Sequence, residues 1–443
     1  MYLLCNGKVI TRDECNPYIE NGGVLIDGTK IMDVGTTDEL KSKYSDVEIV
    51  DAKGLVIMPS FINAHTHIYS GLARGLSING YNPHNFYEIL DGMWWNIDRK
   101  LNLKMTRASA YATYLDCIRN GVTTIFDHHA SFCEIPNSLF EIADVAKEMG
   151  VRSCLCYEVS DRDGVQKCDE AIKENADFIK HCKNSDDDMI KAMFGMHALF
   201  TISDETFEKC VKANDGMTGY HIHICEGLND VVDSKEKYNM LPVERLQKWG
   251  ILSDKTILGH CIHVSEPEMD IIKEYNTMVV NNPQSNMGNA VGCSPVLKFF
   301  EKGIMVGLGT DAYTHDMLES LGNALTIQRH NAGKANVAFG EVTTMLFKNN
   351  AEICKRYFDS ELGVLKKGAS ADVVVMDYKP FTPFDNTNID GHMIFGMRGR
   401  QCVTTFSNGR LLYKDREFVG IDEEKINYEI LQSAKDLWGK ING

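Results

Sequence analysis

The spacing of apolar residues changes twice along the chain. Up to about residue 56 the pattern is one of short strands broken by turns, at 2–5, 23–35 and 47–51. Asp27-Gly28 sits in the middle of the second run, and an Asp-Gly pair between apolar stretches predicts a hairpin. From about 57 to 355, apolar strands alternate with amphipathic helical stretches, which predicts βα units around a parallel sheet. Eight strands are marked by this pattern: 57–63, 122–127, 151–158, 190–197, 219–224, 256–260, 278–281 and 304–309. The stretch 106–120 illustrates the helices, with Thr106 placed to cap its start and Gly121 to follow its end. Strands return at 371–377 and in a hairpin over 403–413 around Asn408-Gly409. A last helix is predicted from the near-helical spacing of Ile426, Ile430, Ala434, Leu437 and Ile441.

Eight βα units make a (β/α)8 TIM barrel, and β-rich segments at both ends predict a small β-sandwich built from the two termini with the barrel inserted between. The expected organisation is 1–56 as the first part of the sandwich and 57–355 as the barrel. Residues 356–422 form its second part, and 423–443 the C-terminal helix. A chain of 443 residues suits such a two-unit arrangement.

Composition narrows the class. With 44% hydrophobic and 24% charged residues the chain reads as globular, not disordered or fibrous. A formal charge of −16 argues against a sequence-independent nucleic-acid partner, which needs a basic stripe. No run of 18 apolar residues suggests a membrane span, and Asn6-Gly7-Lys8 turns polar too early for a signal-peptide core, so a cytoplasmic protein is expected. The 14 cysteines then read as reduced thiols acting as small hydrophobes.

In such a barrel the functional site lies at the C-terminal ends of the strands, and polar residues collect there. The apolar run from Val56 ends in His65-Thr66-His67, whose two imidazoles share one face of a strand and can meet one metal ion. Strand four ends in His197, strand five in His221-Ile222-His223 followed by Glu226, strand six in His260, and strand eight in Gly309-Thr310-Asp311. His65, His67, His223 and Asp311 make a plausible set of nitrogen and oxygen ligands for a catalytic divalent ion. Alternation alone does not choose between His221 and His223; the latter is nearer the strand end and three residues before Glu226, a carboxylate suited to proton transfer. Lys191 begins strand four and His197 ends it, so no bridging ligand is placed for a second metal. His128 follows strand two and Trp94-Trp95 lie after strand one, which makes His128 and Trp95 candidate substrate contacts.

Ile57-Met-Pro-Ser-Phe-Ile-Asn-Ala-His-Thr-His67, His223-Ile-Cys-Glu226, Gly259-His260-Cys-Ile-His263, Asn282-Pro-Gln-Ser-Asn286 and Leu308-Gly-Thr-Asp311 resemble the motifs of the amidohydrolase superfamily. The resemblance covers essentially the whole chain and is strongest to the mononuclear cytosine-deaminase and chlorotriazine-hydrolase branch. Tyr69-Ser-Gly-Leu-Ala-Arg-Gly75, Trp94-Trp-Asn-Ile-Asp-Arg99 and Asp127-His-His-Ala-Ser131 are similar to the aminohydrolases called SsnA. It implies that His65, His67, His223 and Asp311 bind one divalent metal, zinc or alternatively ferrous iron. It also implies that Glu226 and His260 act with Asp311 on water and substrate, and that His197 contacts the substrate. The expected reaction is hydrolytic deamination of a small amino-substituted heterocycle or amidine-like compound. Loss of chloride or an alkylamine, or a scaffold without catalysis, are the alternatives. A homodimer is the expected assembly. The sequence departs from the family at Ser60, where glycine is usual, at Asn281, where many members have histidine, and over 79–95, which matches no member of known specificity.

Overall fold

The computed structural model describes residues Met1 to Gly443. The N-terminal segment forms β1 (Tyr2–Ile10), β2 (Tyr18–Asp27), β3 (Lys30–Thr36), β4 (Glu48–Asp51) and β5 (Val56–Pro59). β1 runs past the polar Asn6-Gly7 because a bulge there absorbs the break in alternation. Asp27 pairs with Lys30, so Gly28-Thr29 is the turn of the expected hairpin.

The parallel strands follow as β6 (Phe61–Thr66), β7 (Val122–Asp127), β8 (Arg152–Leu155), β9 (Ile190–Ala192), β10 (Phe194–Ala198), β11 (Tyr220–Ile224), β12 (Ile257–His260), β13 (Met278–Asn281) and β14 (Val306–Leu308). β6 to β9 pair in order, as do β10 to β14. Bridges Val159 to Met196 and Thr66 to Asp311 join the two runs into a closed ring. Two expected strands are each divided. The 57–63 run splits at Ser60: β5 pairs with β1 in the terminal sheet, whereas β6 pairs with β7 in the barrel. Every residue from Val56 to Ala64 is buried, so no alternation of buried and exposed positions marks the crossing; Pro59, without an N–H, stands at the last rung of the first ladder. The 190–197 run splits at Met193, with β9 on β8 and β10 on β11.

The chain returns as β15 (Val373–Met376), β16 (Cys402–Ser407), β17 (Arg410–Lys414) and β18 (Glu417–Phe418). These join the N-terminal strands in one nine-stranded sheet, in the order β18-β17-β16-β15-β5-β1-β2-β3 with β4 on β1. The sandwich is therefore one continuous sheet whose wings close on a shared core: Leu4, Val24 and Ile26 pack in one cluster with Val373, Val375 and Phe406. Asn408 and Gly409 between β16 and β17 have φ of 46° and 77°, the positive pair that a two-residue type I′ turn requires.

Sheet and barrel meet across a buried polar junction. Arg152 of β8 reaches Asp372 at 2.9 Å, Thr123 donates to the same carboxylate at 2.8 Å, and Ser60 Oγ pairs with Thr123 Oγ1 at 2.6 Å. The serine in place of the family's glycine thus joins the network at the crossing between sheets. The helix Leu103–Arg119 starts at Asn102, whose side chain accepts from Met105 N at 3.0 Å; Thr106, expected as the cap, is buried inside it. The helix Glu423–Asn442 packs on it, and Trp438 donates to Leu72 O at 2.8 Å, which ties the loop after β6 to the chain's end. No helix is long and apolar enough to cross a membrane.

Candidate active site

The strand ends bring the expected side chains together at one end of the barrel. His65 is within β6 and His67 follows it; His197 is in β10, His223 in β11 and His260 at the end of β12. Several of these positions are held by unusual backbone: His260 at φ 69°, Asp311 at 57°, and Cys225 beside Glu226 at 51°. Non-glycine residues in the left-handed region cost stability and cluster at functional sites, where they aim side chains that an extended strand would turn away.

His223 Nε2 lies 3.3 Å from His65 Nε2 and 3.2 Å from His67 Nε2, and His67 Nε2 lies 2.8 Å from Asp311 Oδ1. The other ring nitrogens fix the tautomers. His67 Nδ1 donates to His128 O at 2.6 Å and His223 Nδ1 to His197 O at 2.7 Å, while His65 Nδ1 meets His221 Nε2 at 2.8 Å. These second contacts turn the Nε2 lone pairs toward one another, an arrangement that is repulsive unless positive charge sits among them. Burial and neighbouring imidazoles hold His65 and His223 well below their ordinary values. At His67 burial is outweighed by Asp311, which pushes that ring up to about 9: the cluster draws positive charge to this point. Three nitrogens and one carboxylate oxygen fit a single divalent cation that takes a fifth ligand from water or substrate. His221 stands behind His65, as its support.

A neighbouring group of possible donors, His67, His128, Glu158 and His223, shares two rings with the first and has fewer free atoms. His128 and Glu158 approach His67 and His223, but both His128 nitrogens are engaged, Nδ1 with Glu158 at 3.0 Å and Nε2 with His221 O at 3.0 Å. Lys191 pairs with Asp188 at 3.3 Å near the start of its strand.

Beside the cluster, His260 Nε2 lies 3.6 Å from Glu226 Oε2 and 3.7 Å from Asp311 Oδ2. His260 Nδ1 donates to Asn286 Oδ1 at 2.8 Å, and Asn286 in turn donates to Asn281 Oδ1 at 3.3 Å. Asn281 therefore supports His260 through Asn286 and takes no place in the cavity wall. Asn289 donates to Glu226 Oε1 at 3.3 Å and Ser285 to Asp311 Oδ2. Burial pushes the Glu226 carboxyl up, to about 7, against the opposing pull of His260. At Asp311 burial is outweighed by His67, which keeps this carboxyl below the usual carboxylate range.

The site opens into a cavity walled by Tyr69, Phe86, Leu90, Trp94 and Phe200, with His67, His223, Glu226, Asp311, His197 and Glu158 among its polar groups. Three expected substrate contacts are not part of this wall: His260 is buried against Asn286, and two more stand behind it. His128 is buried against Glu158 and His221, and Trp95 packs edge-on to His197 at 5.9 Å, so Trp94 faces the cavity in its place. Arg74 pairs with Asp116 at 2.8 Å on the loop after β6. Glu158, Ser285 and Asn289 were not expected. Glu158 ends the 151–158 strand and carries the same strand-end signal as His197; the other two lie on a helix of the 282–286 motif and its continuation, where no periodicity singles them out.

Residues 56–412 match the amidohydrolase family. The chain belongs to that family. Among relatives of this amidohydrolase, a 5'-deoxyadenosine deaminase from Methanosarcina barkeri is 29% identical over 443 residues, covering 99% of this chain and 98% of the relative. An adenosine deaminase from Xanthomonas campestris with bound zinc superposes with a TM-score of 0.86 at 20% identity over 98% of both chains. Atrazine chlorohydrolase TrzN from Arthrobacter aurescens TC1, complexed with zinc, superposes at 0.82 with 23% identity, covering 98% of this chain and all of that one.

Proposed function

We propose that this amidohydrolase removes an amino group hydrolytically from a small amino-substituted heterocycle and releases ammonia. The observation that carries the reading is the convergence of three Nε2 lone pairs and Asp311 beside Glu226 and His260, at the floor of a cavity with aromatic walls. His65, His67, His223 and Asp311 would hold one divalent ion, zinc by its preference for imidazole and carboxylate donors and by the zinc bound in the structural relatives. When bound, such an ion acts as a Lewis acid and brings the pKa of water from 15.7 toward about 7.

The chain's own residues do the rest. Glu226, within 3.6 Å of His260, takes the proton of the attacking water and returns it to the ring nitrogen or the leaving amine. His260, locked by Asn286, presents Nε2 toward both Glu226 and Asp311 and orients that water. Tyr69, Trp94 and Phe200 flank a planar ring and keep bulk water away from the reacting carbon. The family resemblance further supports a homodimer acting in the cytoplasm.

The test is ammonia release from aminated purines, pyrimidines, pterins and guanidino compounds by the wild-type protein and Glu226→Gln. Turnover of at least one compound with ammonia as product is expected. The variant should lose about 10³-fold or more in kcat while keeping its metal. Turnover that releases chloride or an alkylamine instead, or full activity in the variant, would overturn the reading.

A further inference from the structure

One buried acid of the cavity wall takes no part in this chemistry. Glu158, 2% exposed, follows β8 at the C-terminal end of the third barrel strand. Its Oε1 faces His128 Nδ1 at 3.0 Å, and the other nitrogen of that ring faces His221 O at 3.0 Å. A backbone carbonyl only accepts, so His128 Nε2 donates to it, and the hydrogen bond between Nδ1 and the Glu158 carboxyl holds one proton between the two, which commits Oε1. Oε2 lies 3.7 Å from His197 Nε2, too far for a hydrogen bond.

His197 is fixed in the same way. Thr201 gives its one hydroxyl proton to Ala198 O at 2.8 Å, so its oxygen accepts from His197 Nδ1 at 3.0 Å. A neutral ring with its proton on Nδ1 carries a lone pair on Nε2. Glu158 and His197 both line the cavity, and the two atoms not used by the protein are both acceptors. Both face the cavity, so a ligand that takes the place of water there satisfies the pair only if it brings two adjacent donors.

Resting on the deaminase reading, the geometry points to a substrate whose non-reacting edge offers two hydrogen-bond donors to Glu158 Oε2 and His197 Nε2. The two N–H groups of a cyclic urea, as at N7 and N9 of 8-oxoguanine, provide such an edge; guanine and pterin do not carry two N–H groups side by side once the amine to be removed is set aside. N9-substituted adenine does not: its ring nitrogens are lone pairs, and its one donor group is the amine to be removed. The hydroxyls of a cis-diol on an attached sugar are a second source of the same chemistry.

The experiment compares kcat/KM for ammonia release from guanine, 8-oxoguanine and pterin with that from 9-methyladenine, adenosine and 2',3'-dideoxyadenosine. Wild type and Glu158→Gln are both assayed, with metal content and melting temperature recorded. A preference of at least 100-fold for 8-oxoguanine over guanine, pterin and 9-methyladenine is expected; a site built to bond a donor discriminates this strongly against an analogue that lacks it. A matching preference for adenosine over dideoxyadenosine would assign the donors to a diol instead. Glutamine keeps an oxygen for His128 and turns an NH2 toward the cavity, so the preference should fall at least 100-fold, mainly through KM, with metal content unchanged. Glu158→Asp, which keeps the acceptor, should retain the order of preference. The inference is overturned if 9-methyladenine is used as well as the better of 8-oxoguanine and adenosine, if Glu158→Gln lowers all substrates equally, or if it costs the protein its metal. Ammonia released from any of these rings upholds deamination whatever the preference.

Discussion

At the residue scale, Glu226 gains its role from where it is buried. Enclosed beside Asp311, its carboxyl is pushed up to about 7, so it keeps a proton at a pH where an exposed glutamate would have lost it. A base must be ionised to act, so kcat/KM should fall as pH drops through that raised value. A bound cation pulls the value down, which places the acid limb at or below about 7, and Glu226→Asp should move the limb. A pH profile flat from 5 to 8 would separate the limb from this residue. Much of this residue set is legible in the sequence: the i, i+2 spacing of His65 and His67 and the strand-end positions of His223, His260 and Asp311 lead straight to the cluster. What is not legible is side-chain phase where the backbone leaves regular geometry. The turn Leu90–Trp94 is a π-helix, with one extra residue per turn, and it shows Trp94 to the cavity where regular spacing leaves Trp95 equally eligible. The choice of His223 over His221 is decided by the hydrogen bond of His221 to the back of His65, which no spacing rule contains.

At the element scale, the two wings of the terminal sheet touch where their hairpin turns meet. A Cβ on Gly409 would lie 1.7 Å from Gly28 O, and Gly409 already sits at φ 77°. Both the clash and the backbone conformation exclude a side chain, so Gly409→Ala should lower stability by about 3 kcal/mol, near the upper end of single-substitution effects, and read out in the denaturation midpoint. A loss below about 0.5 kcal/mol would show that the wings are free to separate. Both hairpins were marked in the sequence by Asp27-Gly28 and Asn408-Gly409, because positive φ is a local demand that glycine and asparagine meet. The partition of 57–63 between sheet and barrel was not, since both faces of that run are buried throughout and no exposed position interrupts it.

At the scale of the whole molecule, the barrel brings His65, His67, His223 and Asp311 together from three separate strand ends, while the terminal sheet closes its opposite end through Arg152, Asp372, Thr123 and Ser60. The C-terminal helix reaches round to hold the loop after β6 through Trp438 and Leu72, so both chain ends brace the strand that carries His65 and His67. The barrel and its β-rich ends followed from the change in apolar spacing; the junction did not, because its polar residues are far apart in sequence and buried by tertiary contacts alone. The central claim is that this frame assembles one metal-dependent hydrolytic site from His65, His67, His223 and Asp311. The most direct measurement is ammonia release by chelator-stripped protein titrated with zinc. Activity should be absent at the start and rise linearly to a plateau at one equivalent per chain. A plateau reached only at two equivalents, or full activity before any zinc is added to protein shown to hold no metal, would contradict it.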